Sequence, residues 1–164
     1  MTDVFLVFST TEWPLSKAIR ALTKSKVSHC SIWFSVFGVE LVLQASVGGV
    51  KFALANEWSK HNKIIRKFRF NVDVTRGIQS ALTLLNQKYD YIALLGYIPV
   101  MIAHWFGIKT KNWLASPNAV VCSEFILHVD AFDQIPEWSE LEWETTTPQQ
   151  LLDACSTSFD EIPI

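Results

Sequence analysis

The chain has 164 residues, 49% of them hydrophobic and 13% aromatic, which is enough to build a core without staples and too apolar for a disordered protein. A formal net charge of -2, with no helix-turn-helix, zinc-finger or RNA-recognition signature, argues against a nucleic-acid binder. Cys30, Cys122 and Cys155 are the three cysteines; with no CxxC pair among them they are expected as free thiols, with no metal and no cofactor.

No repeat, low-complexity tract or Gly/Ser linker divides the sequence, so one domain over residues 1–164 is expected. Asp3 stands where a secretion signal would carry Lys or Arg, which points to a cytoplasmic protein. Charge is unevenly spread. Lys51 to Arg76 is strongly basic, whereas every charged residue from Asp130 onward is acidic. The ordinary reading is a pair of solvated faces; the alternative is a basic rim for an anionic substrate or a peripheral membrane contact.

Val4 to Phe8 is a short apolar run that reads as a buried strand. Thr10, Thr11 and Glu12 ahead of Pro14 look like a helix start, and Leu15, Ala18, Ile19 and Leu22 then mark its apolar face. Two β-branched and aromatic runs around Gly38 predict a hairpin. Alternation groups His29, Ser31 and Trp33 on one strand face and Glu40, Val42, Gln44 and Ser46 on the other strand's face. Lys51–Leu54 and Ile64–Phe70 are further strand candidates, and Thr75–Gln87 an amphipathic helix. The apolar stretch Tyr91–Ile108, broken by Gly96, Pro99 and His104, reads as buried helix in preference to a membrane span. Cys122–Val129 and a short segment opened by Thr147-Pro148 complete the helices. Helix, strand cluster, then helices favours α+β with a mainly antiparallel sheet over alternating βαβ units.

Cys122 precedes a helical pattern. In the first turn its thiolate would be favoured by free amides and the helix dipole, and the same amides could meet an oxyanion. Of the four histidines, His128 lies roughly 240° around the helix from Cys122, His104 sits in an apolar run and His61 in a polar one. His29, opening a strand on a polar face, is the candidate base. With the hairpin turn at Phe37 and Gly38, His29 falls opposite Ser46 and diagonal to Gln44, at about 7 Å. Gln44 is the expected orienting group and Ser46 its rival; Glu40 lies too near the tip. A structural zinc on His29, Cys30 and Cys122 is disfavoured because neighbours on a strand face opposite ways. Cys30 reads as core and Cys155 as part of the last helix.

"SKVSHCSIWF", "ELVLQAS", "YDYIALLGY", "VVCSEFI" and "TTTPQQLLDA", in that order, resemble the circularly permuted papain-like cysteine hydrolases. These include permuted relatives of NlpC-type cell-wall amidases and, more remotely, lecithin:retinol acyltransferase-like enzymes. The resemblance implies a permuted papain-like fold with Cys122 as nucleophile, His29 as general base and Gln44 as third polar residue. It also implies a site lined by Tyr91, with Ser46 and Ser123 as further substrate contacts. Many relatives carry an acid where Gln44 stands. The expected activity is hydrolysis of an amide, in a peptide or peptidoglycan stem. The alternatives are a lipid-ester hydrolase or acyltransferase, and a papain-like module that binds a partner protein or acyl chain without turnover.

Overall fold

The computed structural model describes residues 3–89, 103, 119–130, 135–142, 145–155 and 159–164. Six strands form one antiparallel sheet: β1 (Val4–Thr10), β2 (His29–Val36), β3 (Val39–Ser46), β4 (Gly49–Leu54), β5 (Lys63–Phe70) and β8 (Phe159–Ile162), in the spatial order β4-β3-β2-β1-β5-β8. Two residues each from β6 (Lys88–Tyr89) and β7 (Ala119–Val120) pair in parallel. The helices are α1 (Pro14–Thr23), α2 (Ala55–Ser59), α3 (Thr75–Leu82), α4 (Cys122–Leu127) and α5 (Pro148–Asp153). The expected α+β class with a mainly antiparallel sheet is what the chain forms.

The alternation of side chains divides the sheet into two unequal faces. One carries Leu6, Phe8, Cys30, Ile32, Leu43, Ala45, Phe68 and Phe70 against Phe125, Ile126 and Leu151 of the helices, and is the main core. The other holds a smaller cluster, Val7, Val42, Ala55 and Trp58, flanked by Phe5, Trp33 and Ile64. Short α2 supplies its cover through Trp58. The hairpin turn lies where the sequence placed it: Phe37 and Gly38 both take positive φ, 49° and 81°, as a two-residue turn matched to strand twist requires.

Basic β5 and the acidic C-terminal strand meet edge to edge. Arg66 pairs with Glu161, and Arg69 with Asp160 at 3.2 Å, so part of the charge asymmetry in the sequence is internal complementarity.

Several local expectations are corrected. Thr10 continues β1, and α1 begins after Trp13, which offers no side-chain cap. The buried side of α1 is Ser16, with Ile19, Arg20 and Thr23 half-buried, while Leu15 and Ala18 are exposed. The cause is polar. Ser16 Oγ accepts from the Thr11 N–H at 3.1 Å and shares hydrogen bonds with Ser28 Oγ at 2.6 Å and Thr10 Oγ1 at 3.2 Å, which fixes the helix rotation against its apolar pattern. The helix at Thr75 stops at Leu82 and runs on as turns. The last helix ends at Asp153, so Cys155 lies just beyond it and donates its S–H to the Leu151 carbonyl at 3.2 Å. The segment 91–108 lies outside the described residues apart from 103. Among the described residues no helix is long and apolar enough to cross a membrane.

Candidate active site

Cys122 is the first residue of α4, as expected, and is 4% exposed. The preceding Val121 has no side-chain acceptor to cap the helix; its own N–H donates to the Glu124 carboxylate at 2.9 Å. That leaves the first-turn amides of α4 without a capping side chain at the residue that would hold one.

His29 is the first residue of β2. The register of the β2–β3 hairpin runs from Val36↔Val39 to Ile32↔Leu43; continued, it sets His29 opposite Ser46 and diagonal to Gln44. The diagonal contact is made: His29 Nε2 and Gln44 Oε1 are 2.8 Å apart. Trp58 Nε1 lies 2.9 Å from the same oxygen. An indole N–H only donates, so this atom of Gln44 must be the carbonyl oxygen. Nε2 of His29 must therefore carry a proton, which leaves Nδ1 as the ring atom for Cys122. Gln44 and Trp58 are both nearly buried, at 6% and 4% exposure, so this bond is shielded from water.

The Cys122 thiol and the His29 ring act on one another, and their titrations shift in opposite directions. Burial alone pushes the His29 ring down, but the hydrogen bond and charge of Cys122, aided by Gln44, outweigh it and hold the imidazolium above its ordinary range. The Cys122 thiol is held well below the ordinary range. A hydrogen bond from the Cys30 side chain contributes first, burial opposes it, and the hydrogen bond and charge of His29 add to the lowering. An imidazolium–thiolate pair is the arrangement these shifts describe.

Cys30 corrects the sequence reading. It is core, fully buried as expected, yet its thiol also interacts with Cys122 and is pushed well up, by burial first and then by Cys122. A thiol so held is a donor to the neighbouring thiolate. His29 and Cys30 both reach Cys122 because α4 packs across the start of β2: Cys30 points into that packing, and the His29 ring comes from the strand end. Among the described residues no group of three or more His, Cys, Asp or Glu is gathered as metal ligands.

A cleft of about 390 Å³ opens on the His29–Gln44 side, lined also by Ser46, Lys51, His61 and Tyr89. Ser46 thus lines the cleft, but the contact to His29 belongs to Gln44. Ser123 is buried, at 2% exposure, and is not among the residues that line this cleft. Tyr91 lies outside the described residues. Glu40 pairs near the hairpin tip with Ser35 and accepts from Trp33 Nε1, remote from His29. His61, expected in solvent, stands exposed at the rim of the cleft. His128 starts a short 3₁₀ turn after α4 and is half-buried, its pKa lowered by burial.

Trp58 and the second face it covers were not foreseen, since no helix or strand was expected between Leu54 and Ile64. The available signal was Trp58 itself, a large aromatic four positions after the predicted strand end, in a polar stretch.

No protein-family model matches the chain, and no curated protein sequence does. Among solved structures it is similar to the crystal structure of metalloprotein yiiX from Escherichia coli O157:H7, DUF1105, with a TM-score of 0.56 and 18% sequence identity over 99% of this chain and 96% of that one. At that identity the likeness concerns the fold.

Proposed function

We propose that the protein is a cysteine-dependent hydrolase of amide bonds, arranged as a circularly permuted papain-like enzyme with the histidine strand early and the cysteine helix late. The observation that carries this reading is the contact series Cys122–His29–Gln44, with Trp58 fixing the last member. Each group meets the next in the order that nucleophile, base and orienting residue need.

Cys122 attacks the substrate carbonyl as thiolate and forms a thioester. The imidazolium of His29 gives its Nδ1 proton to the leaving amine, and the neutral ring then takes a proton from the incoming water. First-turn amides of α4 receive the developing oxyanion. Gln44 holds the Nε2–H throughout. Being an amide, it orients the ring but stabilises the imidazolium less than a carboxylate does. Cys122 and Cys30 compensate from the other side, the first by its negative charge beside the ring and the second by lowering the thiolate's proton affinity.

The structural neighbour is named a metalloprotein; among the described residues of this chain no group of three or more His, Cys, Asp or Glu is placed to hold a metal, and His29 Nε2 donates to Gln44.

The test is acylation. Mixing the protein with p-nitrophenyl acetate and measuring intact mass should show one acetyl group, mapped to Cys122, absent from Cys122→Ala and strongly slowed in His29→Ala. Acylation spread equally over Cys30 and Cys155, or indifferent to His29, would contradict the proposal.

A further inference from the structure

The hydroxyls packed beneath α1 satisfy one another: Ser16 bonds with Ser28, with Thr10 and with the Thr11 N–H, as buried polar groups generally do. Two serines close by in the sheet depart from that rule. Ser9 and Ser31 are wholly buried, and among the described residues neither hydroxyl has a hydrogen-bond partner. The main chain at Ser9 is in order, since its carbonyl accepts from the Ser28 N–H at 3.1 Å. The deficit belongs to the side chains, and a hydroxyl buried without a partner is costly.

The two serines lie together. Phe8 and Cys30 face the main core, so alternation turns Ser9 and Ser31 to the opposite face, where Val7 and Trp58 pack. The β1–β2 register sets Ser9 opposite His29 and Val7 opposite Ser31. The β2–β3 register, continued from Ile32↔Leu43, sets Gln44 on the other side of Ser31. Ser9 and Ser31 are therefore diagonal neighbours, about 7 Å apart at Cβ. That is too far for one hydroxyl to reach the other, and it is the span of a single water bonded to both at about 2.8 Å. Such a water typically makes about three hydrogen bonds. The third group at hand is the NH2 of Gln44, beside Ser31 in the same row, whose oxygen already serves His29 and Trp58.

From this juxtaposition we infer that Ser9 and Ser31 build a water site on the sheet face turned away from α4, joining the row of His29 to the row of Gln44. The two serines are then positioning residues. Trp58 holds the Gln44 carboxamide by its oxygen and the water holds it by its NH2, so the oxygen stays on the His29 ring. The positioning role rests on the proposed hydrolase for its use; the water site itself does not.

Ser9→Ala, Ser31→Ala and the double variant test this on the resting protein. Each single change should lower the urea midpoint by about 0.3–1 M. The double variant should fall no further than the larger single, because both changes remove the same water. The His29 pKa, followed by histidine NMR titration, should fall in all three, since the hydrogen bond from Gln44 helps to hold it up. A high-resolution crystal structure of the wild type should show one water within about 3.2 Å of both serine oxygens. Midpoints that rise or stay unchanged would mean hydroxyls buried dry and would overturn the inference, as would additive losses or serine oxygens bonded directly to each other in the crystal. An unmoved His29 titration would overturn the positioning role. None of these readouts needs turnover: failure of Cys122 to acylate would remove the hydrolase and leave the water site, whereas uncoupled serines would remove the water site and leave the hydrolase.

Discussion

The indole N–H of Trp58 meets the side-chain carbonyl of Gln44 at 2.9 Å in a buried setting, and this one contact fixes the proton inventory of the site. It forbids the flipped amide, so His29 can only donate through Nε2. Trp58→Phe removes the donor, leaves the carbonyl one partner short and lets the amide rotate. The variant should lose about 1–2 kcal/mol of stability and, at high pH where the ring is neutral, show a mixture of His29 tautomers by ¹⁵N NMR, where neutral wild-type His29 shows Nε2–H alone. An unchanged single tautomer would mean that Gln44 is held by something other than Trp58.

Gln44→Glu replaces the amide oxygen with a carboxylate that still accepts from both His29 and Trp58. The added charge favours the imidazolium, so the His29 pKa should rise further. Histidine NMR titration of the two proteins measures the difference. A lowered pKa in the variant would place the new carboxylate away from the ring.

Cys30 is the first cause of the lowered Cys122 pKa, through a hydrogen bond from its thiol. Cys30→Ala removes the donor and should move the pH dependence of Cys122 alkylation upward. Cys30→Ser retains a donor and should lie between alanine and wild type. An identical profile for all three proteins would reduce Cys30 to packing.

Gly77, in α3, sits against the backbone of Val129: a Cβ there would come within 1.6 Å of the Val129 carbonyl oxygen. Neither backbone can yield without separating α3 from the turn after α4. Gly77→Ala should therefore destabilise by about 1–3 kcal/mol or more, read as a lower midpoint in urea. A neutral effect would mean that α3 and this turn are not in close contact.

Much of this architecture was legible in the sequence because strand alternation and turn chemistry are local. Phe37-Gly38 set the hairpin register, the register put Gln44 diagonal to His29, and the contact follows. Cys122 at a helix start was readable for the same reason. What escaped needed information from distant parts of the chain. The rotation of α1 is decided by Ser16 meeting Thr10 and Ser28, hydroxyls that an apolar periodicity does not count. Trp58 acquires its role only when β3 lies beneath it, and Cys30 only when α4 lands on β2. Strand β8 depends on Glu161 and Asp160 finding Arg66 and Arg69 more than ninety positions earlier.

The most direct test of the ion pair is the pH dependence of iodoacetamide labelling at each cysteine, followed by mass spectrometry in wild type and His29→Ala. A lowered Cys122 pKa means that the thiolate survives as pH falls; a raised His29 pKa means that the imidazolium survives as pH rises; the pair is intact between the two. Cys122 should therefore label at pH values below the ordinary thiol range, while Cys155, whose thiol burial and nearby acids push upward, and Cys30 stay inert, and His29→Ala should abolish the advantage. Labelling of Cys122 only near the ordinary thiol value of about 8.5, with or without His29, would contradict the account at its centre.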